Sequence, residues 1–337
     1  MKGFNWKKIT KQSEFYVFLI IVVLSVIIQI RSGLFFANNN IVDIMRSMIV
    51  PCIYALCAFL AFISTGPDVS FPLIAALSSY LAITITYKTG YDGPWIVVFF
   101  FGALMGALNG FIIVKYKFSS LIVTLGTSSI FSGLLLGAFE AERMDLPDTL
   151  QRFGKVSLLT VKNAKTGLGS TLPMTFLLMV VLYIIIYFVL NYTMVGRGVY
   201  AIGGDEVSAE RAGFAVKKIR FGIFVVNGML AAVAGLSYAV MSMRYLPTEY
   251  SGAEMDVIAA IILGGTRLNG GVGTLKGCIL GTLLLTMVSN SLILLGISVY
   301  WQKVFIGAII IIGTAISVMQ SHNVKIGKAK TGKKEAA

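Results

Sequence analysis

The chain has 337 residues, 57% of them hydrophobic and 13% charged, with a net charge of +13. Soluble domains carry about 25% charged residues, so 28 Lys and Arg with 15 Asp and Glu cannot coat a soluble surface of this size. The numbers exclude a soluble enzyme and a secreted disulfide scaffold, and they argue against a nucleic-acid binder. Most of the solvent is lipid. The basic excess reads as a membrane-orientation signal, because Lys and Arg are held on the cytoplasmic side.

In chain order, Lys2, Lys7, Lys8 and Lys11 precede an apolar run. Gln29, Ile30 and Arg31 stand where a signal peptide would have a small-residue cleavage site, so the run reads as a first span. A crossing helix needs about 20 mostly apolar residues. Candidate spans are 15–30, 41–64, 71–87, 94–114, 119–139, 173–195, 221–243, 277–295 and 299–319. A tenth, 254–264, is short and contains Asp256. Residues 1–14 form a basic tail, and 321–337 form another with Lys325, Lys328, Lys330, Lys333 and Lys334. Two cytoplasmic tails require an even number of crossings. The expected fold is therefore all-α and polytopic, with about ten transmembrane helices and a membrane domain over 15–320. Nine crossings would put one basic tail outside. The inside segments are then the tails, 115–118, 196–220 and 264–276, while 140–172 lies outside. Arg46 falls within the second span.

Two places do not behave like lipid-facing helix. Ser64-Thr65-Gly66-Pro67-Asp68-Val69-Ser70-Phe71-Pro72 interrupts an apolar stretch. Its prolines disfavour helix at the preceding residues, and Asp68 is placed to accept backbone N–H bonds at the next helix. It reads either as a capped turn at the membrane face or as a broken helix whose polar turn lines a cavity or meets a partner. Glu254 and Asp256 open the second place, either capping a short helix or standing on a permeation path. The sequence shows no polar cavity around them. Asp68-Val69 and Asp256-Val257 open equivalent spans of two five-helix halves, the pattern of an inverted repeat.

The 35 glycines include two helical stripes, Gly102, Gly106, Gly110 and Gly273, Gly277, Gly281. Such stripes let helices approach closely, as intrachain packing or as a homodimer face. The glycine-rich turn 264–273 lacks the Gly-Lys-Ser/Thr ending of a phosphate loop. Cys52, Cys57 and Cys278 fall in apolar runs and read as small buried hydrophobes. His322 is the single histidine. No metal set and no cofactor is indicated.

The cytoplasmic loop 196–220 is the most informative stretch. Ala201-Ile202-Gly203-Gly204-Asp205-Glu206 leads into Val207 to Ala212 and then Gly213. Asp205 or Ser208 is a cap for a short helix, and Gly213 a terminator. It reads as a knob for a partner's groove or as a solvated connector. Asp256-Val257-Ile258-Ala259-Ala260, Leu263-Gly264-Gly265-Thr266 and Gly270-Gly271-Val272-Gly273-Thr274 follow in that order. With Val123-Thr124-Leu125-Gly126-Thr127 and the Gly66 to Ser70 turn, this order resembles the permease subunits of binding-protein-dependent ABC importers. The likeness is to the ribose/xylose/galactose branch, related to the branched-chain amino acid permeases, and runs from about residue 40 to 320. Pro67 and Pro72 depart from the family's turn, where a hydrophobic residue and a Gly stand.

The resemblance implies a pathway made by two permease subunits, as a homodimer or heterodimer, in a lipid bilayer. It implies cytoplasmic ATPase subunits, with ATP hydrolysis in them and not in this chain, and an extracytoplasmic binding protein that delivers the sugar. Gly204, Asp205, Glu206, Ala209, Glu210, Arg211, Ala212 and Gly213 would form the helix that enters the ATPase groove. The loop 140–172 and Tyr245-Leu246-Pro247 would face the binding protein. Candidates for the substrate path are Asp68, Asn109, Thr124, Ser128, Asn227, Glu254, Asp256, Asn290 and Gln302, each of which can instead join helices by hydrogen bonds. Two other classes compete. An ion-driven secondary carrier would use Asp68, Glu254 and Asp256. A membrane enzyme would need a nucleophile or metal constellation that is not seen.

Overall fold

Long apolar runs have one stable form in lipid, because a helix satisfies its own backbone polar groups. The computed structural model of the chain describes residues 13–162, 167, 169–308 and 311. Its helices are α1 Ser13–Ser32, α2 Asn38–Ser64, α3 Phe71–Thr89, α4 Pro94–Tyr116 and α5 Ser120–Gly133, which runs on through a π turn at Leu134–Ala138. After these come α6 Asp148–Lys155, α7 Thr175–Tyr192, α8 Met194–Gly204, α9 Glu206–Arg211, α10 Val216–Ser242, α11 Ala253–Leu263 and α12 Leu275–Leu294.

Among the described residues, eight helices are long and apolar enough to cross a membrane. The segment expected to be short or broken is α11. Its 11 residues reach about 16 Å, roughly half of a ~30 Å hydrocarbon core. The expected last span begins after Val299–Trp301 and is helical over 302–308. Most of the rest of that span, the basic tail 321–337 and residues 1–12 lie outside the described residues.

The expected span 173–195 ends earlier, at Tyr192. Thr193 is extended there and its hydroxyl accepts the Gly196 N–H, starting α8 in a new direction. Conversely, α10 begins at Val216, five residues before the apolar run. The segment 140–172, expected to lie outside and given no structure by the sequence reading, carries α6 and strands of two small antiparallel ladders. One pairs β1 Met144–Asp145 with β4 Arg244–Tyr245, and the other pairs β2 Ser157–Lys162 with β3 Gly169–Pro173. These strands are too short to give a readable alternation.

At the centre, α2 and α10 are buried along most of their length. Phe18, Ile30, Ile122, Ile184 and Phe188 of α1, α5 and α7 are exposed, as lipid-facing residues are. Both glycine stripes serve intrachain packing. A Cβ on Gly106 would sit 2.2 Å from the Phe224 carbonyl oxygen, and one on Gly228 would sit 2.1 Å from that of Gly102, so α4 and α10 touch backbone to backbone. Gly277 and Gly281 bring α12 onto Gly264 and Ala260 in the same way.

Candidate functional site

Three groups of residues stand out. The first is the exposed helix α9. Asp205 caps it by accepting the Ser208 N–H at 2.7 Å. The Ser208 hydroxyl and N–H hold the Asp205 carboxyl below its ordinary range. The cap is therefore intact at neutral pH and is lost only as the pH falls through that lowered value. Gly213 ends the segment at φ +86°, a conformation that suits glycine. Ala209 is buried against Ile202 and Val216, which seats the helix, while Glu206 pairs with Arg220 at 2.8 Å. Val207, Glu210, Arg211 and Ala212 remain exposed. Behind this knob, Gly203 lies against the end of α2. The Ile63 carbonyl there accepts the Gly271 N–H at 3.2 Å, and Tyr200 donates its hydroxyl hydrogen bond to the Gly273 carbonyl at 3.1 Å.

The second group lines a cavity of about 520 Å³ between α2, α10, α11, α12 and the segment that follows. Asp256, Asn290 and Gln302 reach it, as do Arg46, Tyr54, Tyr238, Glu249 and Tyr250. This corrects the expectation that no polar cavity surrounds Asp256: the facing polar groups come from helices far apart in sequence. Arg46 donates to the Met241 carbonyl at 3.2 Å. Asn290 donates to Asn40 at 3.0 Å and Gln302 to Ser289 at 2.8 Å. Glu249 accepts from Arg244 at 2.6 Å and from Tyr238 at 3.2 Å. Pro51 of α2 lacks the N–H that the Ser47 carbonyl would otherwise accept, and both residues lie on this wall. The volume suits a small molecule, with fork-shaped and amide groups beside aromatic rings.

The third group is fully buried. Asp68, Ser70, Asn109, Thr124 and Asn227 gather at the break between α2 and α3. The Asp68 carboxylate accepts the Ser70 N–H at 2.9 Å and its hydroxyl at 2.7 Å. Asn109 donates to Ser70 at 2.8 Å, Asn227 to Asp68 at 3.4 Å, and the Val69 N–H to Thr124 at 3.3 Å. The turn is thus buried within the fold, and its Asp68 carboxylate accepts the N–H of Ser70, the residue that opens α3.

The path candidates therefore separate. Asp256, Asn290 and Gln302 share the cavity, while Asp68, Asn109, Thr124 and Asn227 share the buried cluster. Ser128 is only half-buried on α5 and joins neither. Glu254 turns back to accept the Gly252 N–H at 3.1 Å, which is the capping alternative. The sequence reading did not pick Arg46, Tyr54, Tyr238 or Tyr250. A lone arginine inside an apolar span was the available signal; the tyrosines offered none.

Membrane helices around a polar cavity, with a short capped helix displayed on one face, have the build of a transport permease. Residues 40–314 match the family described as branched-chain amino acid transport system / permease component, and the chain belongs to that family. It is similar to the ribose import permease protein RbsC of Haemophilus influenzae, 29% identical over 300 residues, covering 88% of this chain and 90% of that protein. It is also similar to the autoinducer 2 import system permease protein LsrC of Klebsiella pneumoniae, 31% identical over 313 residues, covering 92% and 87%. The ribose import permease protein RbsC of Bacillus subtilis is 31% identical over 309 residues, covering 90% and 92%. No solved structure matches the chain. The chain is a multi-pass cell-membrane transport subunit.

Proposed function

We propose that this permease is the membrane subunit of an ATP-driven importer for a monosaccharide such as ribose or a related sugar. The reading is carried by one observation: relatives named as ribose import permeases align at about 30% identity along nine-tenths of both chains. The cavity agrees in chemistry. Arg46, Asp256, Asn290 and Gln302 supply donors and acceptors for hydroxyl groups, and Tyr54 and Tyr238 supply apolar faces for a sugar ring. In this reading two permease subunits, identical or homologous, enclose the pathway. ATPase subunits take up α9 and perform the hydrolysis. A binding protein delivers the sugar to the outer segment 140–172 and the turn at Tyr245-Leu246-Pro247. Asp256, Asn290 and Gln302 act on the substrate, while Asp68, Asn109, Thr124 and Asn227 hold helices together.

Purification from its own cell in mild detergent should bring down an ABC ATPase with this chain. Ion-driven uptake by the chain alone in liposomes would overturn the reading in favour of a secondary carrier.

Two substitutions at α9 test the coupling role. Glu206→Lys turns the pair with Arg220 into a repulsion. Gly213→Pro forces φ to about −65° where the chain needs φ +86°. Each should cut uptake by roughly tenfold or more, within the range of typical coupling free energies, with normal membrane insertion. Undiminished uptake in both variants would remove α9 from the ATPase interface.

A further inference from the structure

The glycine-packed pair α4 and α10 meets in lysines at one end. Gly102 lies against Gly228, Gly106 against Phe224 and Gly110 against Phe221, so the two helices run antiparallel in a fixed register. Lys115 stands about 7 Å beyond Gly110 along α4, and Lys217 about 6 Å before Phe221 along α10. Lys115 and Lys117, at the end of α4, are therefore level with Lys217 and Lys218, at the start of α10. All four are exposed.

Neither helix supplies a counter-charge. Residues 93–139 and 211–248 contain no Asp or Glu. Among the described residues, the ion pairs are Arg220 with Glu206 and Arg244 with Glu249, and neither takes up one of these lysines.

The surface leading to the lysines is apolar. Ile96, Phe100, Leu104, Leu108 and Phe111 are exposed and follow one another at helical spacing along α4. Lys115 closes that stripe. Its ammonium lies 4.9 Å from the centre of the Phe111 ring and 5.4 Å from that of Tyr116. Phe221 is exposed one turn after Lys217 and lies against Gly110, which carries the apolar surface across to α10.

Such a change, from exposed apolar side chains to unbalanced ammonium groups, follows the passage from acyl chains to headgroups in a bilayer. Orientation in a membrane asks for basic residues on one side; it does not ask lysines far apart in sequence to meet at one level. We propose that this corner binds the headgroup of an anionic phospholipid, with its acyl chains along Phe111 and Phe221. The phosphate would accept charge-assisted hydrogen bonds from the lysines, and the lipid's negative charge would balance what the two helices leave unbalanced. The first turns of α10 also carry Arg220, which holds Glu206 of α9, so the lipid would steady the end of the helix that seats α9.

Native mass spectrometry of the purified permease tests this, starting from detergent micelles with equal amounts of phosphatidylglycerol and phosphatidylcholine. Phosphatidylglycerol should be retained over phosphatidylcholine by about fivefold or more, about the effect of a single lysine at an anionic surface. The preference should fall as the salt concentration is raised. Lys115→Gln with Lys117→Gln should weaken it, as should Lys217→Gln with Lys218→Gln, and the fourfold variant should lose it. Equal retention of the two lipids by the unaltered protein would overturn the proposal. So would an undiminished preference in the fourfold variant; if that variant also no longer brought down the ATPase, the lysines would belong to the protein interface instead. Should the fourfold variant fail to fold, the two double variants decide, and a full preference in both would count against the site.

Discussion

Gly203→Val should leave the permease inserted in the membrane yet lower its ATP-driven uptake by roughly 5- to 150-fold, the range of typical coupling free energies. The argument is steric. A Cβ at Gly203 would lie 2.0 Å from the Ile63 carbonyl oxygen and 2.5 Å from the Gly271 nitrogen. Both are backbone atoms, so no side-chain rotation relieves the clash. The joint holds three pieces together: the end of α8, the end of α2, and the glycine-rich turn after α11. Gly270 and Gly271, at φ +83° and +69°, let that turn fold tightly onto it. A valine must separate these pieces and so loosen the α8–α9 unit from α2, one of the helices that wall the cavity. Gly222→Ala is the control. Among the described residues nothing lies within 4 Å of the added carbon there, and alanine favours the helix by about 0.5–1 kcal/mol. Uptake and ATPase activity measured together in proteoliposomes decide the matter. Full uptake with Gly203→Val would show that the joint does not transmit motion.

Gly281→Val should be the most damaging substitution for stability on α12. Its Cβ would fall 1.9 Å from the Ala260 carbonyl oxygen. Overpacking costs about 1–3 kcal/mol and occasionally more. At this chain length that is a fall of about 1–2 °C in the midpoint for each kcal/mol. The affected partner is the short α11, which is held between α12 and α2. It also carries Asp256, Val257 and Ala260 on the cavity wall, so the KM for uptake should rise together with the loss of stability. Gly281→Ala should do the same to a smaller degree. Thermal unfolding in detergent and concentration-dependent uptake measure both effects. An unchanged midpoint for Gly281→Val would mean that α11 moves freely against α12.

The spans were legible because apolar runs about 20 residues long have few alternatives in lipid. The cap and stop of α9 were legible because Asp205 and Gly213 act within their own segment. Glycine spacing announced close packing without naming the partner, since Gly106 meets Phe224 more than a hundred residues away. The cavity was not legible. Asn109 and Asn290 have the same chemistry, yet one points into the core and the other into the cavity. Helix rotation decides between them, and backbone contacts such as Gly102 with Gly228 set that rotation. Arg46 was visible in the sequence only as a charge within the second span. The cluster at Asp68 depends on Asn227, 159 residues further along, and no local pattern links the two.

One helix ties the two faces of the protein together. α10 is 27 residues long and has no internal proline, so it behaves as a stiff lever about 40 Å long. Arg220 near its N-terminal end grips Glu206 of α9, the helix proposed to meet the ATPase, and Tyr238 and Met241 near its C-terminal end stand on the cavity wall. Eighteen residues, about 27 Å, separate Arg220 from Tyr238. A pull on α9 that tilts this lever about its glycine-packed middle would swing Tyr238 the opposite way. The force could then cross the bilayer as the rotation of one rod, with no relay of side chains between the two ends.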